Sequence, residues 1–369
     1  MKLLVLAQTP PPVHGQSVMV QALVNGFAER AGITIRHVNL PLSRDIADIG
    51  RMRPGKLLAL ARAIRETRAR CRDTSFDALY YVPAPGKRSA VVRDWLLLGA
   101  VRRLFPRLVL HWHAAGLADW LQTNASPLER HLAVRALRAA DLSLVLSPAL
   151  RADAEAVASR RIAVVPNGIA DPCPAGPPAR PPPDPSLRIL FLGLCSETKG
   201  VFDALAAVQR ANALAVPGAG PAFALDLVGD APTPADAARL RAAASGDSAV
   251  LRWHGPLTGA AKEACFARSH AFLFPTRYPH EGQPLVLLEA MAWDLPVVST
   301  RWRAIPDTLP SSAASALVAP GDVAGLAQAL LRLRQTPAPT GAMRRHFLDH
   351  YTREKHLSAL ASALGGLSD

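Results

Sequence analysis

The chain has 369 residues, of which 50% are apolar and 19% charged; this composition is typical of a globular protein and the length predicts two domains. The formal net charge of +13 indicates an anionic partner (a phosphate-bearing ligand, a lipid surface or nucleic acid), although an arginine-rich, GC-biased genome would give the same excess. Four cysteines without paired spacing argue against a zinc site or a disulfide framework, and no apolar stretch approaches the roughly 20 residues of a membrane span.

Short apolar runs alternate with helical patterns along the first half of the chain. The predicted strands lie at residues 2–7, 33–40, 78–83, 107–113, 142–147 and 161–167. Helical patterns fill most of the intervals, the first of them starting at Ser17 after the loop QTPPPVHGQS. This alternation predicts a parallel, doubly wound α/β sheet.

Residues 168–186, GIADPCPAGPPARPPPDPS, are rich in proline and glycine, so they cannot form a central strand or a helix. We interpret them as the linker between a first domain, 1–167, and a second, 187–345. The alternation resumes with predicted strands at 187–193, 223–229, 250–255, 271–275, 295–300 and 315–320. A terminal helix within 346–369 is expected to pack back on the first domain.

Two such sheets predict two doubly wound, Rossmann-like domains that face one another across a cleft. Ligands bind open parallel sheets at the carboxyl ends of their strands, so this cleft is the expected site. A single large sheet is the alternative, and the proline-rich break disfavours it.

Two loops have features of phosphate binding. Gly15 follows the first strand and precedes a helix, whose free backbone N–H groups attract anions, although many such glycines serve only to turn the chain. Lys199, in GLCSETKG, precedes Gly200 and a helix, where the helix dipole disfavours a cation. A lysine that reaches a diphosphate is therefore slightly favoured over a solvated one. Neither loop matches a P-loop or a dinucleotide fingerprint.

The stretch HEGQPLVLLEAMAWDLPVV contains Glu281 and Glu289 with seven residues between them. Pro284 suits the first turn of a helix, so the helix would begin beside Gly282 and present its N–H groups to a ligand. Ionised carboxylates accept hydrogen bonds only, and sugar hydroxyls are natural donors to them. The alternative is structural: Glu281 would stabilise the helix start and Glu289 would pair with a buried arginine.

The wider segment FLFPTRYPHEGQPLVLLEAMAWDLPVVST resembles the nucleotide-binding signature of family 4 of the glycosyltransferases, the retaining group with the GT-B fold. The segments PPPVHGQS, VVPNGI, LVGD and VAPGDVAGLAQAL are similar to family motifs in the expected order. The resemblance therefore extends over nearly the whole chain and implies a GT-B α/β fold.

The resemblance also implies roles for individual residues. Glu289 would bind the ribose hydroxyls, Glu281 the donor sugar, and Lys199 with the backbone around 282–285 the diphosphate. His113 resembles the family histidine beside the donor sugar; a core histidine is the alternative, and His111 is expected on the opposite face of its strand. The expected catalytic residues are His113, Glu281 and Lys199, and the expected substrate-binding residues are Gly15, Gly282, Gln283, Pro284, Leu285 and Glu289. No cofactor or metal is expected.

The chain departs from the family pattern at three places. Leu194 stands where many relatives have an arginine beside the diphosphate, and Asp294 replaces a common turn glycine. RAIPDT (303–308) lacks the two glycines that often precede Ile-Pro. These changes concern the details of donor binding and, more remotely, activity.

The resemblance thus implies a retaining hexosyltransferase-type glycosyltransferase that uses a nucleotide-diphosphate sugar and a saccharide or lipid-linked hydroxyl acceptor, in bacterial polysaccharide or glycolipid biosynthesis. The alternatives are a non-catalytic partner or sensor subunit and a sugar-nucleotide epimerase on the same fold.

Two basic segments bear on the location of the protein. Residues 51–72 and 93–107 combine arginines with leucine, tryptophan or phenylalanine, as membrane-surface helices do. They predict a cytoplasmic protein attached peripherally to the anionic inner face of the cytoplasmic membrane. Ordinary surface helices are the alternative. Nucleic acid is not an expected partner, because the chain has no aromatic-basic recognition motif.

Overall fold

The computed structural model of this chain describes residues 1–27, 32–41, 54–180, 182, 186–215, 221–246, 250–336 and 338–367. The chain divides into two compact units. The first comprises Met1–Gly168, His280–Gln283 and Arg353–Asp369, and the second comprises Ile169–Pro279 and Pro284–Thr352.

A parallel sheet forms the centre of the first unit. Its strands are β1 (Lys2–Ala7), β2 (Thr34–Asn39), β3 (Ala78–Tyr81), β4 (Arg107–Trp112), β5 (Leu142–Val145) and β6 (Ile162–Val164), in the order β2-β1-β3-β4-β5-β6. The helices before residue 168 are α1 (Gly15–Gly26), α2 (Pro54–Asp73), α3 (Arg88–Val101), α4 (Leu117–Thr123), α5 (Pro127–Leu137) and α6 (Ala152–Ala156). Of the predicted helical segment 51–72, residues 51–53 lie outside the described residues.

A second parallel sheet forms the centre of the second unit. Its strands are β7 (Leu187–Leu192), β8 (Phe223–Val228), β9 (Leu251–Trp253), β10 (Ala271–Phe274), β11 (Val297–Thr300) and β12 (Ser315–Val318), in the order β12-β11-β10-β7-β8-β9. Its helices are α7 (Val201–Leu214), α8 (Pro234–Gly246), α9 (Gly259–Arg268), α10 (Leu285–Ala292), α11 (Ile305–Thr308), α12 (Val323–Gln335) and α13 (Ala342–His350); α14 (Arg353–Gly365) belongs to the first unit. Each observed strand lies within a predicted one, and the predicted α/β class is confirmed.

Alternation along β1 explains why the first sheet is covered on both faces. Leu4 and Leu6 join the apolar cluster that includes residues of α2, α3 and α5, whereas Leu3 and Val5 join the cluster that includes residues of α1 and α14. Successive side chains of a strand point to opposite faces, so a continuous apolar run buries both. None of the described helices is both long and apolar enough to cross a bilayer.

The strand orders place the predicted loops at the positions where ligands bind open parallel sheets. The direction of strand addition reverses between β1 and β3 in the first sheet and between β7 and β10 in the second. Crevices open beyond the carboxyl ends of the strands at such switch points. Gly15 is the first residue of α1, directly after the loop that follows β1. The loop after β7 contains Lys199, and the loop after β10 contains Glu281.

Two departures from the family pattern keep a backbone conformation that glycine favours. Asp294 has φ of 54° and Arg303 has φ of 49°, values that cost a residue with a Cβ about 1–2 kcal/mol. Asp294 offsets part of this cost, because its carboxylate accepts the backbone N–H groups of Gly341 at 2.6 Å and Arg344 at 3.1 Å. These two bonds cap the start of α13. Asp294 thus provides a helix cap that a glycine at this position could not provide.

The segment predicted as a linker is attached to the second unit at its beginning. Ile169 forms an isolated bridge with Thr352, and both carboxylate oxygens of Asp171 accept hydrogen bonds from Arg344, at 2.7 and 2.5 Å. The Arg344 guanidinium lowers the pKa of Asp171 through these bonds. Residues 181 and 183–185 of the predicted linker lie outside the described residues.

Candidate functional site

The loop from 193 to 200 places Lys199 at the carboxyl end of the second sheet. Gly200 is the N-cap residue of α7 and has φ of 80°, and a Cβ there would lie 2.1 Å from the carbonyl oxygen of Pro275. Only glycine therefore allows the loop to close on the end of β10. Lys199 Nζ lies 4.7 Å from the ring centroid of Tyr278 and 5.7 Å from that of Phe274, so aromatic faces hold the ammonium group.

Leu194, in the same loop, is partly buried and carries no charge. Arg277, after β10, brings a guanidinium group to this region of the unit. It pairs with Glu197 at 2.6 Å and also with the carboxylate of Asp203. Because two carboxylates already neutralise Arg277, its charge does not replace the one that an arginine at position 194 would supply.

Helix α10 begins at Leu285, and Pro284 is its N-cap residue. The helix therefore begins one residue later than the sequence predicts, since Pro284 is expected in its first turn. Proline has no N–H and its side chain cannot accept a hydrogen bond, and no described side chain caps this helix start. The N–H of Leu287 donates to the carbonyl oxygen of Pro284 at 3.1 Å. The N–H groups of Leu285 and Val286, which no described group accepts, are available to an anion.

Glu289 lies within α10 and pairs with Lys262 of α9, whose Nζ is 2.7 Å from Oε1. The structural alternative predicted a buried arginine; the partner is instead a lysine, and the Glu289 side chain remains 21% exposed. Among the described residues, none donates a hydrogen bond to Oε2. The pair therefore orients Glu289 and leaves one oxygen for a ligand hydroxyl.

Glu281, Gly282 and Gln283 belong to the first unit, although the residues on both sides belong to the second. Glu281 is buried, with 6% of its surface exposed. Gly282 lies against the residue that follows β4, because a Cβ there would be 2.3 Å from the carbonyl oxygen of His113. The side-chain oxygen of Gln283 accepts the backbone N–H of Asn167 at 2.7 Å, so this carboxamide holds the chain in place.

His113 follows β4 directly and is half-buried beside other histidines. Desolvation, with smaller contributions from His356 and His14, lowers the pKa of His113 to about 3. Its imidazole is therefore neutral at physiological pH and can exchange hydrogen bonds with a hydroxyl group without adding a charge.

His111 shares the face of His113, and the expectation that it lies on the opposite face is wrong. The two ring centroids are 4.0 Å apart, because residues two apart on a strand point the same way. His111 is 1% exposed, and its Nδ1 bonds the hydroxyl of Tyr80. Desolvation lowers its pKa well below the ordinary value, so it is a neutral core residue behind His113.

Gly15 is the exposed first residue of α1. The preceding His14 caps this helix: its Nδ1 accepts the N–H of Ser17 at 3.4 Å, and its own N–H donates to Ser17 Oγ at 3.1 Å. Burial lowers the pKa of His14, so its ring is an acceptor at neutral pH. The helix start at Gly15 is thus occupied in part by its own cap.

The structure groups the expected residues by unit. Gly15, His113, Glu281, Gly282 and Gln283 lie in the first, whereas Lys199, Pro284, Leu285 and Glu289 lie in the second. Sequence reasoning missed Lys262 and Asn167. Lys262 lies in none of the motifs described above. Asn167 lies in VVPNGI, but the sequence does not indicate that its partner is Gln283. In the parts of the chain that the structure describes, no group of three or more His, Cys, Asp or Glu side chains is placed to hold a metal ion.

Comparison with known families supports the resemblance. Residues 186–336 match the family described as Glycosyl transferases group 1, and this range contains Lys199, Glu281 and Glu289. No curated protein sequence gives a significant match. The predicted resemblance to glycosyltransferases is confirmed for this range at the level of group 1, and the assignment to family 4 stays a prediction.

Solved structures similar to the chain extend the likeness over its whole length. Sucrose-phosphate synthase from Thermosynechococcus elongatus has a TM-score of 0.76 at 17% identity, with 100% of this chain and 99% of that chain covered. HepE from Anabaena, in complex with UDP-glucose, has a TM-score of 0.67 at 16% identity, with coverages of 99% and 100%. The UDP-forming α,α-trehalose-phosphate synthase from Burkholderia vietnamiensis has a TM-score of 0.68 at 15% identity, with 99% of both chains covered. At these identities the likeness establishes the fold, which is GT-B.

Proposed function

We propose that this chain, a group 1 glycosyltransferase over residues 186–336, transfers a hexosyl group from a nucleotide-diphosphate sugar to a hydroxyl acceptor with retention of configuration. The observation that carries the proposal is the uncapped start of α10, which has Glu281 before it and the half-paired Glu289 within it. An uncapped helix start suits a diphosphate, and carboxylates suit sugar hydroxyls.

Each expected residue has a role in this proposal. Glu289 accepts hydrogen bonds from the ribose, while Lys199 and the backbone of residues 282–285 bind the diphosphate. Lys199 also neutralises the charge that develops on the leaving group, which an arginine at Leu194 would otherwise share. Gly15 allows the phosphates to approach the backbone closely.

Glu281 and His113 act on the donor sugar in this proposal. The buried carboxylate of Glu281 accepts hydrogen bonds from sugar hydroxyls. The neutral imidazole of His113 forms hydrogen bonds at the reacting end of the sugar. Because it carries no positive charge, it does not compete with Lys199 for the diphosphate. The chemistry requires no metal or cofactor in this scheme.

The donor is the first part to test. Two of the similar structures contain UDP-glucose or are named as UDP-forming enzymes, so a UDP-sugar is the donor we propose to try first. A thermal-shift panel of UDP, GDP, ADP and their glucose conjugates identifies the nucleotide, because a ligand at 100 times its Kd adds about 2.7 kcal/mol of stability. Absence of a shift with every nucleotide would contradict the proposal.

The Glu281→Ala variant tests the transfer step. Turnover of the donor identified by the panel is expected to fall by at least about 100-fold, because a group that contacts the reacting sugar is lost. Binding of the free nucleoside diphosphate should stay within about twofold of wild type. Full activity in this variant would show that Glu281 has no catalytic role.

A non-catalytic partner or sensor is the second candidate, and Leu194 is the observation that favours it. Such a protein binds the nucleotide in the thermal-shift panel but neither hydrolyses nor transfers the sugar. An epimerase on the same fold would change the donor with no acceptor present. Product analysis by mass and NMR spectroscopy separates all three.

We further propose that the first unit rests on an anionic bilayer at the cytoplasmic face of the membrane, where a lipid-linked acceptor of polysaccharide or glycolipid assembly would be presented. Leu57 and Leu58 of α2 are 57% and 62% exposed, and Leu96 of α3 is 38% exposed. The two helices pack together in one apolar cluster, while the exposed side of α2 carries arginines at 62, 65, 68 and 72. Exposed leucines beside arginines suit an anionic interface.

Sedimentation with vesicles of phosphatidylglycerol and phosphatidylcholine tests the membrane proposal. Wild type should sediment at low salt and the double variant Leu57→Glu and Leu58→Glu should not. Leu214→Glu is the matched control, because Leu214 is 53% exposed on α7 of the second unit. Equal sedimentation of all three proteins would rule out this surface.

A further inference from the structure

The chain makes a four-residue excursion that the reaction proposed above does not explain. His280–Gln283 belongs to the first unit, yet Pro279 and Pro284 on either side belong to the second. Glu281 lies in the middle of this excursion. The first unit therefore fixes the position of this carboxylate, even though the family signature places it in the chain next to α10.

Contacts on both sides of Glu281 attach the excursion to the first unit. His280 Nδ1 hydrogen bonds the carbonyl oxygen of Ala115 at 3.0 Å. The backbone of Gly282 lies so close to the carbonyl of His113 that a side chain would not fit. The third attachment is at Gln283. The first two join the excursion to the loop after β4, whereas the third joins it to Asn167, which lies elsewhere in the first unit.

Asn167 makes this third attachment at two points. Its backbone N–H donates to Gln283 Oε1 at 2.7 Å, and its Nδ2 donates to the backbone carbonyl of Gln283 at 3.2 Å. Asn167 is 4% exposed and Gln283 is 6% exposed, so water does not substitute for either bond. Asn167 Oδ1 is buried and accepts no hydrogen bond within the described part of the chain. The bond from Nδ2 to Gln283 is therefore the one hydrogen bond that the Asn167 side chain makes to the described residues.

We infer that Asn167 is a positioning residue for Glu281. It follows β6 at the last residues of the first unit's main segment and clamps the end of the excursion two residues after Glu281. A displacement of about 1 Å at a reacting group can cost on the order of 100-fold in rate. The inference rests on the role proposed for Glu281, and it assigns to VVPNGI a function in addition to ending the first unit.

Amide hydrogen exchange tests the clamp without any activity. Asn167→Ala should increase exchange of the amides from His280 to Gln283, while the amides within α10 stay protected. Asn212→Ala is the matched control, because Asn212 Nδ2 likewise donates to a backbone carbonyl, that of Phe223 in the second unit; Asn212 Oδ1 in addition accepts the Phe223 N–H. Unchanged exchange in Asn167→Ala would overturn the inference.

Kinetics then test the consequence for Glu281. With UDP-glucose as the donor, Asn167→Ala should lower kcat by about 10- to 100-fold and leave the Kd for UDP within about twofold. Asn212→Ala should change neither quantity. A kcat like that of wild type in Asn167→Ala would overturn the positioning role.

A second pair of variants approaches the clamp from the other side. Gln283→Glu keeps an acceptor for the Asn167 N–H and should retain protection of the excursion, whereas Gln283→Ala should lose it. This pair decides the question if Asn167→Ala does not fold. If Glu281→Ala itself leaves turnover unchanged, the proposed function of Glu281 fails, while the exchange data still decide whether the clamp exists.

Discussion

Lys262 Nζ lies 2.7 Å from Oε1 of Glu289, and both side chains are about one-quarter exposed, at 27% and 21%. The pair joins α9 to α10 within the second unit. A carboxylate in an apolar helix needs such a partner, because an unpaired charge there is costly. The pair also holds the remaining oxygen of Glu289 in one orientation, which suits recognition of a diol.

Glu289→Ala is expected to remove discrimination at the ribose. Wild type should bind UDP about 10- to 100-fold more tightly than 2′,3′-dideoxy-UDP, because hydrogen bonds to a charged group contribute about 1.5–3 kcal/mol. The variant should bind the two nucleotides equally. Isothermal titration calorimetry measures both affinities, and a variant that still prefers UDP would show that another group recognises the ribose.

Lys262→Met is expected to weaken UDP binding by about three- to tenfold, because Glu289 loses the partner that orients it. Lys2 is an exposed residue of the first unit, and the Lys2→Met variant serves as the control, which should leave the affinity for UDP unchanged. Tighter UDP binding in Lys262→Met would mean that the lysine competes with the ribose for Glu289.

Two glycine substitutions at positive φ should change stability in opposite directions. Ala158 has φ of 51° and is exposed, so Ala158→Gly relieves the backbone and should raise the free energy of unfolding by up to about 1 kcal/mol. Asp294→Gly also relieves the backbone but removes both capping bonds of α13, and a net loss of about 1 kcal/mol is expected. Urea denaturation measures both; stabilisation by Asp294→Gly would show that the cap contributes little.

The first unit should lose stability as the pH falls from about 7 to 5. Desolvation lowers the pKa of several of its histidines in the folded state: His14, His37, His111, His113 and His356. Below the unfolded pKa of about 6.5 the unfolded chain binds more protons, so each such histidine can remove up to about 1.4 kcal/mol per pH unit.

His356→Asn tests this origin of the pH dependence. Asparagine can still donate to the carbonyl of Pro166, as His356 Nδ1 does, but it does not titrate. The difference in urea midpoint between pH 7 and pH 5 should therefore be smaller in this variant. His131→Asn, on the exposed side of α5, should leave the difference unchanged, and equal effects of both substitutions would assign the pH dependence to other groups.

The sheets could be predicted from the sequence because their strands are short, apolar and separated by clear turn signals. β1 and β7 read directly from KLLVLA and LRILFLG. Their flanking loops could be placed for the same reason. The sequence shows that Asp294 stands where the family pattern has a turn glycine. It does not show that Asp294 caps α13, since the amides that it caps lie about 50 residues further along the chain.

The partners of the site residues could not be predicted in the same way. Lys262 is 27 residues from Glu289, and Asn167 is 116 residues from Gln283, so only the folded chain brings each pair together. The face of His111 was predictable, since a strand has a period of two residues, and the opposite assignment misapplied that rule.

The division of the chain has a consequence for protein engineering. The first unit consists of three separate stretches of sequence, the shortest of them only four residues long. A chimera that exchanges halves with a relative at residue 168 would take Asn167 away from its native partner and leave α14 behind. Leu357, Leu360 and Leu364 would then meet a foreign surface. Productive recombination between such enzymes should therefore transplant all three stretches together.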